Sequence, residues 1–288
     1  MNESLTEPAV EGPTAAFAPE RAPLRPRTST APTALSDATP DRMTLHTTEA
    51  LLLFSGRSGE DSAAKEGIPG GRRFAAILKT VWHLSGRDHP YADWLLIRMG
   101  QGLDAVRAYV AVATREHEAR LDDLRHKGMS LTVMSARHPH IDHLGFSSPY
   151  GYAMAEAVLE FDRFVRVVKT LIHKDRLGDL EGRTAIRSAS RRFRALFQEP
   201  IRWERALLDS ELRFLCRGDF LPEADDAARQ RVALAERRLG PISPAVLACD
   251  ERPRHTQQRS RLTEAQRQTL RERRFDDGDI ATPESDPG

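Results

Sequence analysis

"SSPYGYAMAEAVLEFDRFVRVVKTLIHK", residues 147–174, decides the fold class. Pro149 has its φ preset for a first helical position, and Ser148 before it can cap the turn. Beyond them Met154, Val158, Phe161, Val165, Val168 and Ile172 follow in steps of four and three, which puts all six on one helical face. An apolar stripe of that length has to be buried. The neighbours that bury it are legible on both sides. "PGG" at 69–71 opens a helix on which Phe74, Ile77, Leu78, Val81 and Trp82 share a face. "RDHPYADW" at 87–94 gives another helix start, with Asp88 or His89 ahead of Pro90. Leu103, Val106, Val110, Ala113, His117, Leu121 and Leu124 carry that helix on until Gly128 stops it. After the opening stretch, residues 183–217 read as a helix that Pro200 kinks or divides, and Pro222 starts a last one ended by Gly240-Pro241.

Strand signals are few. "MTLHT" (43–47) alternates, and "SLTVM" (130–134) is the best strand candidate. The expected fold is therefore mainly α, a helical domain over 43–248 with one or two short β-strands. Residues 1–42 hold seven of the 18 prolines among Ala, Thr, Ser and Glu, and read as a disordered tail. Residues 249–288 read as a polar, largely disordered tail, in which 262–274 can form a short charged helix with little to bury.

Composition narrows the function. At 40% hydrophobic and 30% charged residues, with no run long enough for a membrane span and no signal-peptide pattern, a soluble cytoplasmic protein is expected. The two cysteines make neither a disulfide framework nor a C-x-x-C site. No P-loop, G-x-S-x-G, G-x-G-x-x-G or H-E-x-x-H occurs, so the reading is non-enzymatic, with no cofactor.

Two features remain. The first is "ARHPHIDHLGF" (136–146), in which His138, His140, Asp142 and His143 have the H-x-H-x-D-H spacing of the metallo-β-lactamase hydrolases. Such a set can hold zinc and activate water. A sheet sandwich of that class needs many strands, however, and the residues before the loop read as helices. Only His173 and His255 follow, one at a helix end and one in a polar tail. These four residues are thus weak metal candidates, and a zinc hydrolase is a remote alternative.

The second is charge. Only five of the 43 basic residues are lysine, and from Arg163 to Arg194 ten Lys or Arg face three acids. Arginine's planar fork suits phosphate. Arg163, Arg166 and Lys169 flank the stripe of the opening helix, and Arg183, Arg187, Arg191, Arg192 and Arg194 crowd the next one. Arg187, Arg191 and Arg194, at i, i+4 and i+7, share one face that can meet several phosphates of double-stranded DNA. Ser130 and Thr132 lie on one face of the "SLTVM" strand, which two chains can pair into a base-reading ribbon. The bland alternative is a solvated face neutralised by acids such as Glu156, Glu160 and Asp162.

"MTLHTTEALLLFSGR", "GIPGGRRFAAILKTVWHLSGRDHPYADWLL" and "SSPYGYAMAEAVLEFDRFVRVVKTL" together resemble a family of integrating conjugative element proteins, related to the AcaB-type transcriptional regulators. The resemblance covers roughly Met43 to Leu208. It implies a DNA-binding regulator or accessory factor of conjugative transfer, with a ribbon-helix-helix-like module and no enzymatic activity. A homodimer and contacts with other proteins of the element go with that reading. The alternative is a protein-interaction factor of the transfer machinery, contacting its partner through the basic face and the Tyr150/Tyr152 region. The histidine loop is open to direct assay. Protein purified without a His-tag is expected to carry no stoichiometric zinc, and one zinc per chain would restore the hydrolase reading.

Overall fold

The computed structural model describes residues 39–57, 67–257 and 262–273; the expected tail segments 1–38 and 274–288 lie outside the described residues. The stretch that decides the fold is α4 (Pro149–His173), and its burial goes beyond one stripe. Phe164, Val167 and Leu171 are buried as fully as Val158, Phe161 and Val165. A helix so enclosed needs cover on several sides. It packs against α1 (Thr48–Ser55), α2 (Gly71–Ser85), α3 (Pro90–His126) and α5 (Asp179–Leu207). Aromatic rings stitch these layers, with Phe161 5.4 Å from Phe193, Phe193 5.9 Å from Phe197, and Phe197 5.0 Å from Phe74. Each such buried side chain contributes about 1.5–3 kcal/mol.

Local chemistry sets the ends. His89 caps α3, its Nδ1 accepting from the Ala92 amide at 3.3 Å. Gly128, with φ of +88°, turns the chain at the other end while the Met129 amide donates back to the Leu124 carbonyl. Ser148 stands at the cap position of α4, but its side chain makes no capping hydrogen bond.

The sheet differs from expectation. Strand β1 (Asp41–Leu45) pairs antiparallel with β2 (His140–Leu144), Met43 opposite Asp142 and Leu45 opposite His140. The second strand is thus the histidine loop and not "SLTVM". Residues 130–134 keep their alternation, Leu131 and Val133 packing on the core while Ser130 and Thr132 face solvent. Helix α4 has already claimed this segment's polar groups, however. The Met134 amide donates to Thr170 Oγ1 at 2.9 Å, and its carbonyl accepts from Arg166 Nε at 2.8 Å.

Two buried charges fix how the pieces meet. The Asp162 carboxylate, in the middle of α4, accepts from the His46 amide (3.1 Å), the Thr47 amide (2.8 Å) and the Thr47 hydroxyl (2.7 Å). The same Thr47 caps α1. Arg217, wholly buried, donates to Asp88, Asp93 and the carbonyls of Val246 and Leu247. It joins the start of α3 to the C-terminal elements. Burial pushes the Asp93 carboxyl upward, and the guanidinium beside it opposes that shift.

The C-terminal third departs from expectation in its helix bounds. The helix expected at 183–217 spans Asp179–Leu207 and runs through Pro200 unbroken. Buried Phe193, Phe197 and Leu207 hold it across the hydrogen bond that proline deletes. Short 3-10 turns follow at Leu212–Phe214 and Arg217–Phe220, and α6 (Asp226–Leu239) is capped by Asp225 and ended by Gly240. Within the polar tail, the stretch 262–274 contains the short helix that its sequence allows. After α7 (Pro244–Leu247), α8 (Glu264–Glu272) buries Leu270 completely. Arg271 pairs with Asp250, and Tyr150 donates its hydroxyl proton to the His255 carbonyl. One leucine and a few ion pairs are too faint a pattern to mark a docked helix. At the other end, Asp41 and Arg42 belong to β1 and not to a tail.

Removing the Asp162 carboxylate leaves three donors unmet, two of them buried and one half-buried, at about 1–3 kcal/mol each. Asp162→Ala is therefore expected to lower the unfolding free energy in urea by at least about 3 kcal/mol, and a loss below 1 kcal/mol would show that water replaces the carboxylate. A pH effect follows from His89, whose imidazole burial pushes from the ordinary 6.5 down to about 4. Between those values the unfolded chain takes up a proton that the folded state refuses, so stability falls as pH drops from 6.5 towards 4, by up to about 3 kcal/mol. His89→Asn keeps a capping side chain without the titrating ring. Its stability profile should be flatter than the parent's over that window, whatever its stability at pH 7.

Candidate nucleic-acid interface

The basic residues that α5 carries do not all point one way. At about 100° per residue, Arg187, Arg191 and Arg194 fall about 40°, 80° and 20° from Arg183, one sector of the helix. Arg192 falls about 180° away. Its guanidinium lies 4.2 Å over the Tyr109 ring on α3, a cation–π contact outside that sector.

The sector of Arg183, Arg187, Arg191 and Arg194 lines an open groove of about 680 Å³, floored in part by Ile186 with the exposed Leu180 at its rim. A fifth arginine, Arg57, enters from the end of α1. Its position is set by two glycines. Gly56 has a φ of +83°, and Gly70 is pressed so closely on it that a Cβ there would lie 2.2 Å from the Gly56 nitrogen. Arg57 then pairs with Ile68 in an isolated antiparallel bridge. No sequence motif announces Arg57; only the glycine after the apolar turn "ALLLF" hints that the chain reverses there.

The electrostatics of this groove are one-sided. Among the described residues its two carboxylates already have partners, Glu49 bonding Lys169 at 2.8 Å and Asp179 meeting Arg183 at 3.4 Å. Arg187 Nε donates only to the Arg183 carbonyl. Burial, and then the like charge of Arg57, push the Arg194 guanidinium below its ordinary value. Five guanidiniums with that little compensation make a site for an anion with several charged oxygens.

The other basic and polar candidates gather elsewhere. Ser130 and Thr132 line a second, shallower groove with Arg163 and Arg125, and its acids Glu118 and Asp122 balance those two cations. Arg163 is held by Glu118 at 2.6 Å and Arg125 by Asp122 at 3.0 Å. Arg166 is spent on the Met134 carbonyl, and Lys169 on Glu49. The α4 cations thus serve as ties between elements, whereas on α5 Arg187, Arg191 and Arg194 meet no carboxylate among the described residues. Ser130 and Thr132 do share an exposed face, but on an extended segment without a strand partner among the described residues.

The histidine motif dissolves on folding. Alternation along β2 puts His140 and Asp142 on one face and His143 on the other, with His138 before the strand. Asp142 is buried and accepts from Arg72, with His140 Nε2 at 3.5 Å. Among the described residues no three His, Cys, Asp or Glu side chains are placed to hold a metal ion. Of the tyrosines, Tyr150 is buried, while Tyr152 is exposed and donates to Asp41 Oδ2 at 2.8 Å. Among the described residues no helix is long and apolar enough to cross a membrane.

Comparison with known proteins bears on this surface. A search of curated proteins gives no match. Among solved structures, the crystal structure of selenomethionine-containing AcaB from uropathogenic E. coli aligns with 71% of this chain and 91% of its own, at 13% identity and a TM-score of 0.42. The family described as "Transcriptional regulator AcaB" matches residues 31–259, most of the sequence and all of α1 to α7. On that match the chain belongs to the AcaB family of transcriptional regulators.

Proposed function

We propose that this protein is a cytoplasmic DNA-binding regulator of a conjugative element, acting as a homodimer and holding the duplex backbone through the arginine groove of α5. The observation that carries the reading is the convergence of Arg57, Arg183, Arg187, Arg191 and Arg194 on one open surface, whose two carboxylates among the described residues are already engaged. Phosphate oxygens on a duplex are spaced closely enough to satisfy several of these guanidiniums at once. Membership of a regulator family supports the same direction. Family resemblance supports the conjugative element as the setting.

A runner-up takes its support from Leu180, 74% exposed on the rim of the same groove. An apolar side chain there suits a protein partner of the transfer machinery with an acidic segment. The two readings separate on titration of fluorescent duplex DNA at 50 and 200 mM salt. Five phosphate contacts give a loss of about 10²–10³-fold between those concentrations. Arg187→Glu/Arg191→Glu/Arg194→Glu should abolish binding at both. Negligible affinity of the parent at 50 mM, or a triple variant that binds unchanged, removes DNA as the partner.

A further inference from the structure

The arginine face of α5 does not stop at the groove. Because the helix continues through Pro200, Arg202 and Arg205 fall about 100° and 40° from Arg183, within or beside the sector of Arg187 and Arg191. Both are exposed. Apart from Asp179, which meets Arg183 at 3.4 Å, the acids of the same helix lie off this crest and are drawn sideways. Glu181 pairs with Arg120, Glu199 with Arg98 and Glu204 with Arg73, all arginines of α3 or α2. Among the described residues, Arg191, Arg202 and Arg205 form no ion pair. Neighbouring helices thus neutralise the flanks of α5 and leave its crest positive.

Spacing gives the crest a second property. From Arg183 to Arg205 is about 33 Å of helix, and the charges fall into two clusters. Arg183 to Arg194 form one and Arg202 with Arg205 the other, separated by about 12 Å of axis. Over that gap the crest carries Ala195 and Gln198, both exposed and uncharged. Two positive clusters flanking a neutral span of about 12 Å match two phosphate walls with an open major groove of about 12 Å between them. A single strand presents no such pair of walls.

We infer that Arg202 and Arg205 form a second phosphate-binding cluster, so that α5 bridges the two backbones of a DNA duplex across its major groove, with Gln198 over the opening. This rests on the reading of the α5 groove as a DNA contact and adds its geometry. The test compares Arg202→Ala/Arg205→Ala with Arg187→Ala/Arg191→Ala/Arg194→Ala, each first confirmed folded by circular dichroism and thermal melting. Affinity is then measured against salt on a duplex and on a single strand of equal length. Loss of two phosphate contacts should reduce the slope of log affinity against log salt by about 1.8 on the duplex, with a smaller change on the single strand. An unchanged duplex slope in the double variant, with a reduced one in the triple variant, overturns the bridge and leaves the groove contact standing. Equal losses on duplex and single strand overturn the bridge as well. If neither variant alters binding, the DNA reading itself falls.

Discussion

The contact between Asp162 and the turn at His46–Thr47 has consequences far from where it sits. A buried carboxyl group in an apolar helix is tolerable only when donors surround it, and three come from one short turn. Meeting that demand fixes the exit of β1 and the first turn of α1 against the middle of α4. Lys169 and Glu49 add a second tie between the same helices. With α1 held at both points, the Gly56 turn at its far end delivers Arg57 beside Arg194. A core polar contact thus determines where a surface arginine stands. The groove inherits its geometry from the way one buried charge is satisfied.

Arginine does three physically different jobs in this chain. Arg217 is wholly buried, and every donor it uses has a carboxylate or carbonyl acceptor, which is the condition for a guanidinium to leave water. A second group, including Arg73, Arg98, Arg107, Arg120 and Arg163, ties helix to helix through acids at the surface. Such exposed pairs contribute little stability singly, about 0–1 kcal/mol, but they decide which charges remain available. The third group is the crest of α5, where only Arg183 meets a carboxylate among the described residues, because the second group has consumed most of the acids around it. The formal net charge of +1 conceals this division completely.

Periodicity made the helices legible. The steps of four and three in α4, the His89-Pro90 start of α3 and the Gly128 stop each leave a pattern that one sequence can show. It does not show which of two short alternating segments finds a strand partner. "SLTVM" has the better strand composition, yet Arg166 and Thr170 take its backbone, while "HIDHL" lies where β1 needs an edge. Pairing is a tertiary fact, and alternation is only permission for it. The same limit applies to the site. Helical spacing identifies Arg187, Arg191 and Arg194 as one face. Arg57 reaches them only through the close approach of Gly56 and Gly70, across a loop that spacing cannot fold. Arg217 is similarly hidden, one arginine among 38 until burial distinguishes it.

A helix face with several unpaired arginines costs the free protein something. Like charges at i and i+4 on an exposed helix oppose each other by a few tenths of a kcal/mol per pair, so the crest costs about 1 kcal/mol. Burial of Phe193, Leu196 and Phe197 on the opposite side supplies several times that amount. The fold can therefore hold the repulsive arrangement without yielding at α5. An anion that bridges the guanidiniums removes the repulsion and gains their hydrogen bonds together. Packing on one side of α5 thus sustains on the other a surface that is most stable when occupied.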